Sequence, residues 1–336
     1  VLFSLGRIVG VNMKKVLSIF LVLALVITVA IAQSVTEVKE NEVRVAALKG
    51  PTAMGMSKLI TDSSNGSVIN GNTYTWTISA APAEVTPLLV KGEIDVAAIP
   101  ANLAAIIYNN TKGAIEVVAI NTLGVLYICE NGNSISSFQD LKGKTIYASG
   151  KGSSPEFALN YLLQANGLDY EKDVDIQWKT EHAECVAALL NDSNACAILP
   201  EPFVTTATIQ NPSITVKLDL TQEWAKVSST SQLITGVTVV RKAWKEENPK
   251  AYEAFMASYK ASTEFVNANN KEAAAMIGNI GIIPEAVALK ALPKCQISCI
   301  TGQEMKNALE GYLEVLYEAL PSSVGGELPK TDFYGI

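Results

Sequence analysis

The chain repeats itself at an offset of one hundred residues, and no single motif constrains its fold as much. Residues 84–100, EVTPLLVKGEIDVAAIP, align without a gap on residues 184–200, ECVAALLNDSNACAILP, and Glu84/Glu184, Leu89/Leu189, Ala97/Ala197 and Pro100/Pro200 are identical pairs. Self-similarity at a fixed spacing marks a duplicated structural unit. Upstream, residues 43–50 oppose 143–150, each a short apolar run entering a glycine-containing loop and then an apolar-periodic helix. Residues 74–79 oppose 174–179 as a further strand. Each half reads strand, loop, helix, strand, helix, strand, proline, helix. That order implies an α/β fold of mostly parallel sheets flanked by helices, with right-handed crossovers.

Beyond the second unit, 214–220 and 236–240 read as strands and the remainder as helical. Asn248-Pro249 begins a helix reaching to about residue 267, and shorter helices start at Lys271, Pro284 and Gln303. The last of these carries Leu309, Tyr312, Leu313, Leu316 and Leu320 on one face, and residues 325–334 read as an extended tail on the surface. No low-complexity linker separates the halves. Two lobes therefore share crossing segments near 121–124 outward and 235–236 back, which assigns 41–122 with 237–336 to lobe I and 123–236 to lobe II.

The amino-terminal stretch is an address. Met13-Lys14-Lys15 precedes an apolar run over 16–32 ending Ala30-Ile31-Ala32, so residues 1–32 read as an upstream extension and a secretory signal cleaved before Gln33. An uncleaved anchor helix is the alternative. No cysteine ends the run, which argues against lipid attachment. Removing these residues leaves 23 basic against 33 acidic residues, a net −10, a poor basis for binding nucleic acid. Only Arg44 and Arg241 remain as arginines, too few for a cluster of guanidinium forks.

Five cysteines leave at least one unpaired within a monomer. Cys295 and Cys299 lie about 13 Å apart if their segment is extended, so a bridge there needs a turn. Cys185 and Cys196 fall where the first half has Val85 and Val96 and read as small core residues. One histidine and no second cysteine cluster make a metal site a poor reading, and no cofactor is expected.

In open parallel sheets, ligands sit where loops leave the carboxyl ends of strands and helix N-termini present free N–H groups. Four loops qualify: Lys49-Gly50-Pro51-Thr52-Ala53-Met54-Gly55, Pro100-Ala101-Asn102, Ser149-Gly150-Lys151-Gly152-Ser153-Ser154-Pro155-Glu156, and Pro200-Glu201-Pro202-Phe203. Asn121 lies at the outward crossing. In the third loop, Ser153 and Glu156 have capping-box spacing, while Ser154-Pro155 equally suits an N-cap and first turn. Lys49 and Lys151 occupy nearly matching places at the rim. His182, opposite Pro82 in the repeat, falls at a helix start near the crevice, with no serine or cysteine assignable to it. Trp178 and Phe203 offer planar faces to a ligand or to the core. Arg44 begins its strand roughly 16 Å from Lys49 and Arg241 leads into a charged helix exposed to solvent. An anionic group is then expected to meet backbone N–H donors and hydroxyls at Thr52 and 152–154, and a neutral heterocycle to use Asn102 and Glu201.

The segments RVAALKGPT from Arg44, GEIDVA from Gly92, LKGKTI from Leu141, GSSPEFALNYLL from Gly152 and VVRK from Val239 resemble solute-binding proteins of ABC importers. The group they resemble handles nitrate, taurine, alkanesulfonates and thiamine-pyrimidine precursors. The resemblance spans roughly 43–336. It implies a type II periplasmic binding fold, two lobes closing on one solute, ligand contacts around Thr52, Asn102, Ser153 and Glu201, and a membrane permease and ATPase as partners. A secreted or periplasmic monomer without enzymatic activity is expected. Similar folds also serve enzymes of cofactor biosynthesis, against which the signal argues, and periplasmic sensor modules, which sequence does not separate from transport subunits.

Overall fold

The computed structural model describes residues 41–336; the expected extension and signal over 1–32 lie outside the described residues. The first half runs β1 (Asn41–Leu48), α1 (Pro51–Met54), α2 (Ser57–Asp62), β2 (Asn72–Ser79), α3 (Pro82–Lys91), β3 (Val96–Pro100), α4 (Ala101–Asn110) and β4 (Ile115–Leu123). After β5 (Leu126–Asn131), the second half repeats the order as β6 (Thr145–Ser149), α5 (Ser154–Ala165), β7 (Asp175–Lys179), α6 (His182–Asn191), β8 (Cys196–Pro200), α7 (Phe203–Gln210) and β9 (Ile214–Asp219). The offset of one hundred holds to the residue for α3 against α6 and for β3 against β8. Both of those strands are buried along their whole length, as fits parallel strands covered on two faces.

The remaining elements are α8 (Leu220–Val227), β10 (Ile234–Arg241), α9 (Lys242–Glu247), α10 (Pro249–Ala268), α11 (Asn270–Ile280), α12 (Glu285–Ala291), β11 (Ile297–Ile300) and α13 (Gly302–Ala319). Two sheets result, ordered β11-β4-β10-β3-β1-β2 and β7-β6-β8-β5-β9. In each, three strands of one half run parallel and the neighbour of the last is antiparallel, because it is the strand by which the chain enters from the other sheet, β10 after β9 and β5 after β4. β10 returns to lie against β3 with Gly236 opposite Pro100, and β5 lies against β8 with Leu126 opposite Pro200. The repeated prolines thus mark the two places where the chain passes between sheets. A side chain at Gly236 would collide with Asn121 and Thr52.

Four expectations need correction. The carboxyl-terminal third is not wholly helical, since β11 adds an edge strand on β4 too short to show as a periodic run. The tail is docked, not extended: Phe333 is fully buried, edge-on to Tyr108 at 5.1 Å, and Gly335 N–H donates to Val117 O. Aromatic burial outweighs the local glycines and proline there. Leu320 lies just past α13, half-buried, while Leu309, Tyr312, Leu313 and Leu316 fill its inner face. Arg241 is not a solvent residue. Its guanidinium reaches Asp95 at 2.8 Å and Arg44 forks the same carboxylate at 2.6 and 2.9 Å. Asp95 is buried, which pushes its carboxyl upward, but the bonds from Arg44 and Arg241 outweigh burial and hold it below the usual carboxylate range.

Candidate ligand cleft

The carboxyl ends of β1, β3, β6 and β8 and both crossing passages converge on one cleft enclosing about 100 Å³. Nine of the thirteen residues singled out from sequence stand on its wall: Lys49, Gly50, Pro51 and Thr52 from the first half, and Gly150, Ser153, Ser154, His182 and Glu201 from the second. Gly50 adopts φ 145° and Gly150 φ 78°, backbone that favours glycine, and a Cβ on Gly150 would press on Ser153 Oγ at 2.7 Å. These two glycines let the chain turn from strand into helix against the cleft.

Four residues stand off the wall. Asn102 is fully buried behind it and joins the halves, its Nδ2 donating to Ser323 O at 3.1 Å and Gly152 O at 3.3 Å while its Oδ1 accepts from Ser154 Oγ. Asn121 is buried and donates to Thr238 Oγ1; its neighbour Thr122 faces the cleft instead, as strand alternation requires. Lys151 and Gly152 are exposed at the loop tip.

The hydroxyls are already engaged. Thr52 Oγ1 donates to Leu48 O at 2.8 Å, Ser153 Oγ to Gly150 O, and Ser154 Oγ to Asn102 Oδ1 and Thr235 O. With their protons used inside the protein, these hydroxyls present acceptor oxygens to the cleft. At the start of α5 the N–H groups of Ser153 and Glu156 donate to Gly150 O and Ser153 O, Gly152 N–H donates to Glu156 and Pro155 has none, which leaves Ser154 N–H as the donor without a partner there. Ser153 sits at the N-cap position of α5, where its carbonyl accepts from Glu156 N–H but its hydroxyl makes no cap bond, and the Glu156 carboxylate turns back to accept from Gly152 N–H, so the capping-box spacing is used to brace the loop.

His182 opens α6 and its Nδ1 lies 2.7 Å from Ser149 Oγ, a partner that sequence did not supply. Ser149 is the last residue of β6, and no motif marks it. The imidazole packs at 5.2 Å on Phe203, and burial pushes its pKa down to about 4. The ring is therefore neutral near pH 7, and no carboxylate is bonded to it. Glu201 is buried, and burial raises its carboxyl above the usual range despite bonds from Thr205 N–H and Oγ1 at 3.1 Å; Lys294 Nζ lies 3.9 Å away. Trp178 packs against the core. Among the described residues no group of acids, cysteines and histidine has the geometry to hold a metal ion, and every cysteine is free. Cys185 and Cys196 are fully buried core residues.

A two-sheet fold with this cleft defines a class, and comparison gives the family. Residues 71–284 match the sequence profile of the ABC transporter, phosphonate, periplasmic substrate-binding protein family, and the chain belongs to that family. Its members serve as solute-binding components of ABC importers. No curated protein sequence matches the chain. Among solved structures, an ABC transporter protein from Parabacteroides distasonis has a TM-score of 0.71 at 22% identity, covering 88% of this chain and 99% of its own. The periplasmic aliphatic sulphonate binding protein SsuA of Escherichia coli has 0.66 at 17%, covering 87% and 93%. The periplasmic nitrate-binding protein NrtA of Synechocystis PCC 6803 has 0.62 at 15%, covering 88% and 84%. At such identities the likeness is one of fold.

Proposed function

We propose that the cleft captures one small polar organic solute or anion, of the nitrate, sulfonate, taurine or pyrimidine-precursor class, and delivers it to a membrane permease driven by an ATPase. Lobe I comprises 41–122 and 237–336, lobe II 123–236, and they close on the solute without turning it over. The observation that carries this reading is the wall itself: strand ends and helix starts of both halves face one small space. Both arginines of the described chain are committed to Asp95. A compact anion is then met by Ser154 N–H at the start of α5 with Lys49 adding charge at the rim, and a neutral heterocycle by Glu201. Ser149 and His182 lack an orienting acid, which sets this pair apart from a hydrolytic triad.

Thermal unfolding with a panel of nitrate, taurine, methanesulfonate, methylphosphonate and an aminopyrimidine tests the reading. A true ligand at a hundredfold excess over its Kd stabilises by about 2.7 kcal/mol and is recovered unchanged. Consumption of the solute, stopped by His182→Ala, would replace transport with catalysis. Family membership implies an extracytoplasmic location, and we assign export to a cleaved signal. Intact mass of protein secreted by its native host should correspond to a chain starting at Gln33; a product retaining Lys14 and Lys15 would favour an anchor.

A further inference from the structure

The cleft does not end at its inner chamber. A second cavity of about 440 Å³ adjoins it, and the two share Lys49, Ala80, His182 and Phe203 as wall residues. Its far side is built by both halves of the molecule: Ala183 at the start of α6 on one side, and Ile282, Ile283 and Pro284 in the turn between α11 and α12 on the other. Ile282 is buried and Ile283 half-buried. Apart from the shared Lys49, the one charged residue on this wall is Glu181, so the two ionic groups are of opposite sign and the remainder is largely apolar. The inner chamber has room for a compact head group only, whereas the adjoining space is several times larger and opens off the Phe203 and His182 rings.

We propose that the solute is bipartite, with its polar head in the inner chamber and an apolar, neutral substituent, up to the size of a ring, lying between Phe203 and Ile282–Pro284 in the outer chamber. This rests on the solute-binding reading above and adds that a bare inorganic anion is not the best ligand. An apolar group transferred from water to such a wall gains in proportion to the area it buries, about fourfold in affinity per methylene.

Isothermal titration of the full chain tests it, with sulfonate, phosphonate and aminopyrimidine heads each carrying a methyl, butyl or phenyl substituent. Within the series that binds, butyl and phenyl members should bind at least tenfold more tightly than methyl. Two variants confined to the outer wall, Ala183→Trp to fill the space and Ile283→Asp to make it polar, should abolish that gain and leave the methyl member within twofold. Equal affinity along the series, or a gain untouched by both variants, overturns the outer subsite while leaving solute binding intact. Binding by no member of any series defeats the underlying reading and the subsite with it.

Discussion

The two halves share a backbone and divide the chemistry. At matched positions the first half places Pro82 where the second has His182, Ala101 where it has Glu201, and Ala53 where it has Ser153. The first half's wall is accordingly apolar apart from Lys49, Thr52 and Thr122, while the second contributes more hydroxyls, an imidazole and a carboxylate. A duplicated unit needs its apolar pattern in both copies to build two cores. Its loops at the strand ends are free to diverge, because they face the cleft and not the sheet.

Away from the cleft the asymmetry reverses. The first half buries Asp95 under two guanidiniums, which ties the start of β1 and the end of the returning β10 to the turn before β3. The second half has Ala195 at the matched position and instead buries Glu130 on β5, with Lys144 at 3.9 Å and Lys217 at 3.8 Å. Lys144 stands where the first half has Arg44. Those lysines have other acceptors, Ser134 Oγ and Asn133 Oδ1, whereas Asp95 is the shared carboxylate partner of both arginines. Asp95→Ala should therefore cost about 3 kcal/mol, the low end for a broken buried pair because both arginines are partly exposed. Glu130→Ala, losing chiefly the bonds from Ser134 and Ile135 N–H, should cost about 1–2 kcal/mol. Urea midpoints at constant slope measure both; a reversed order would show that the Lys–Glu cluster is the stronger tie.

His182 against Pro82 gives a smaller effect with a definite sign. Burial holds the folded-state pKa near 4, against 6.5 for an unperturbed ring, so the unfolded chain takes the proton first as pH falls. Stability from this group is complete above pH 6.5 and is lost between there and pH 4, by about 1–2 kcal/mol for a ring only half-buried. His182→Gln should remove that part of the acid slope, read as the difference between the two proteins' thermal midpoints over this range. Because the chain has one histidine, its NMR titration is unambiguous, and a midpoint above pH 6 would place the ring in solvent.

Sequence made the repeat legible because apolar spacing and the two prolines survive divergence, and β3, β8, α3 and α6 fall where the alignment puts them. Features that depend on meetings between distant segments were not legible. Arg241 looked solvent-bound because Asp95, 146 residues away, carries no local sign of it. Ser149 is legible as the head of the third loop but not as the partner of His182, because a serine ending a strand has no signature until the histidine 33 residues on folds onto it. Thr122 was missed in favour of Asn121 by one residue, the difference between the two faces of a strand.

The smallest expected effect tests how far the copies are interchangeable. Cys185 and Cys196 match Val85 and Val96, and all four are fully buried. Burial pushes both thiols up to about 12, so neither is a thiolate near neutral pH, and their role is to fill space. Cys196→Val places in the second sheet the residue the first already holds at that level. It loses one weak contact from Sγ to Thr145 O at 3.7 Å and adds about a methyl group of volume. The change should stay within about 1.5 kcal/mol, the range for near-isosteric core swaps. Cys185→Val should cost somewhat more, because the thiol lies beside Ser149, which holds His182. Both variants should bind solute with unchanged affinity. Loss of binding in Cys196→Val, far along the strand from the cleft, would mean that the second core is shaped by the site and that matching by sequence offset stops short of matching by packing.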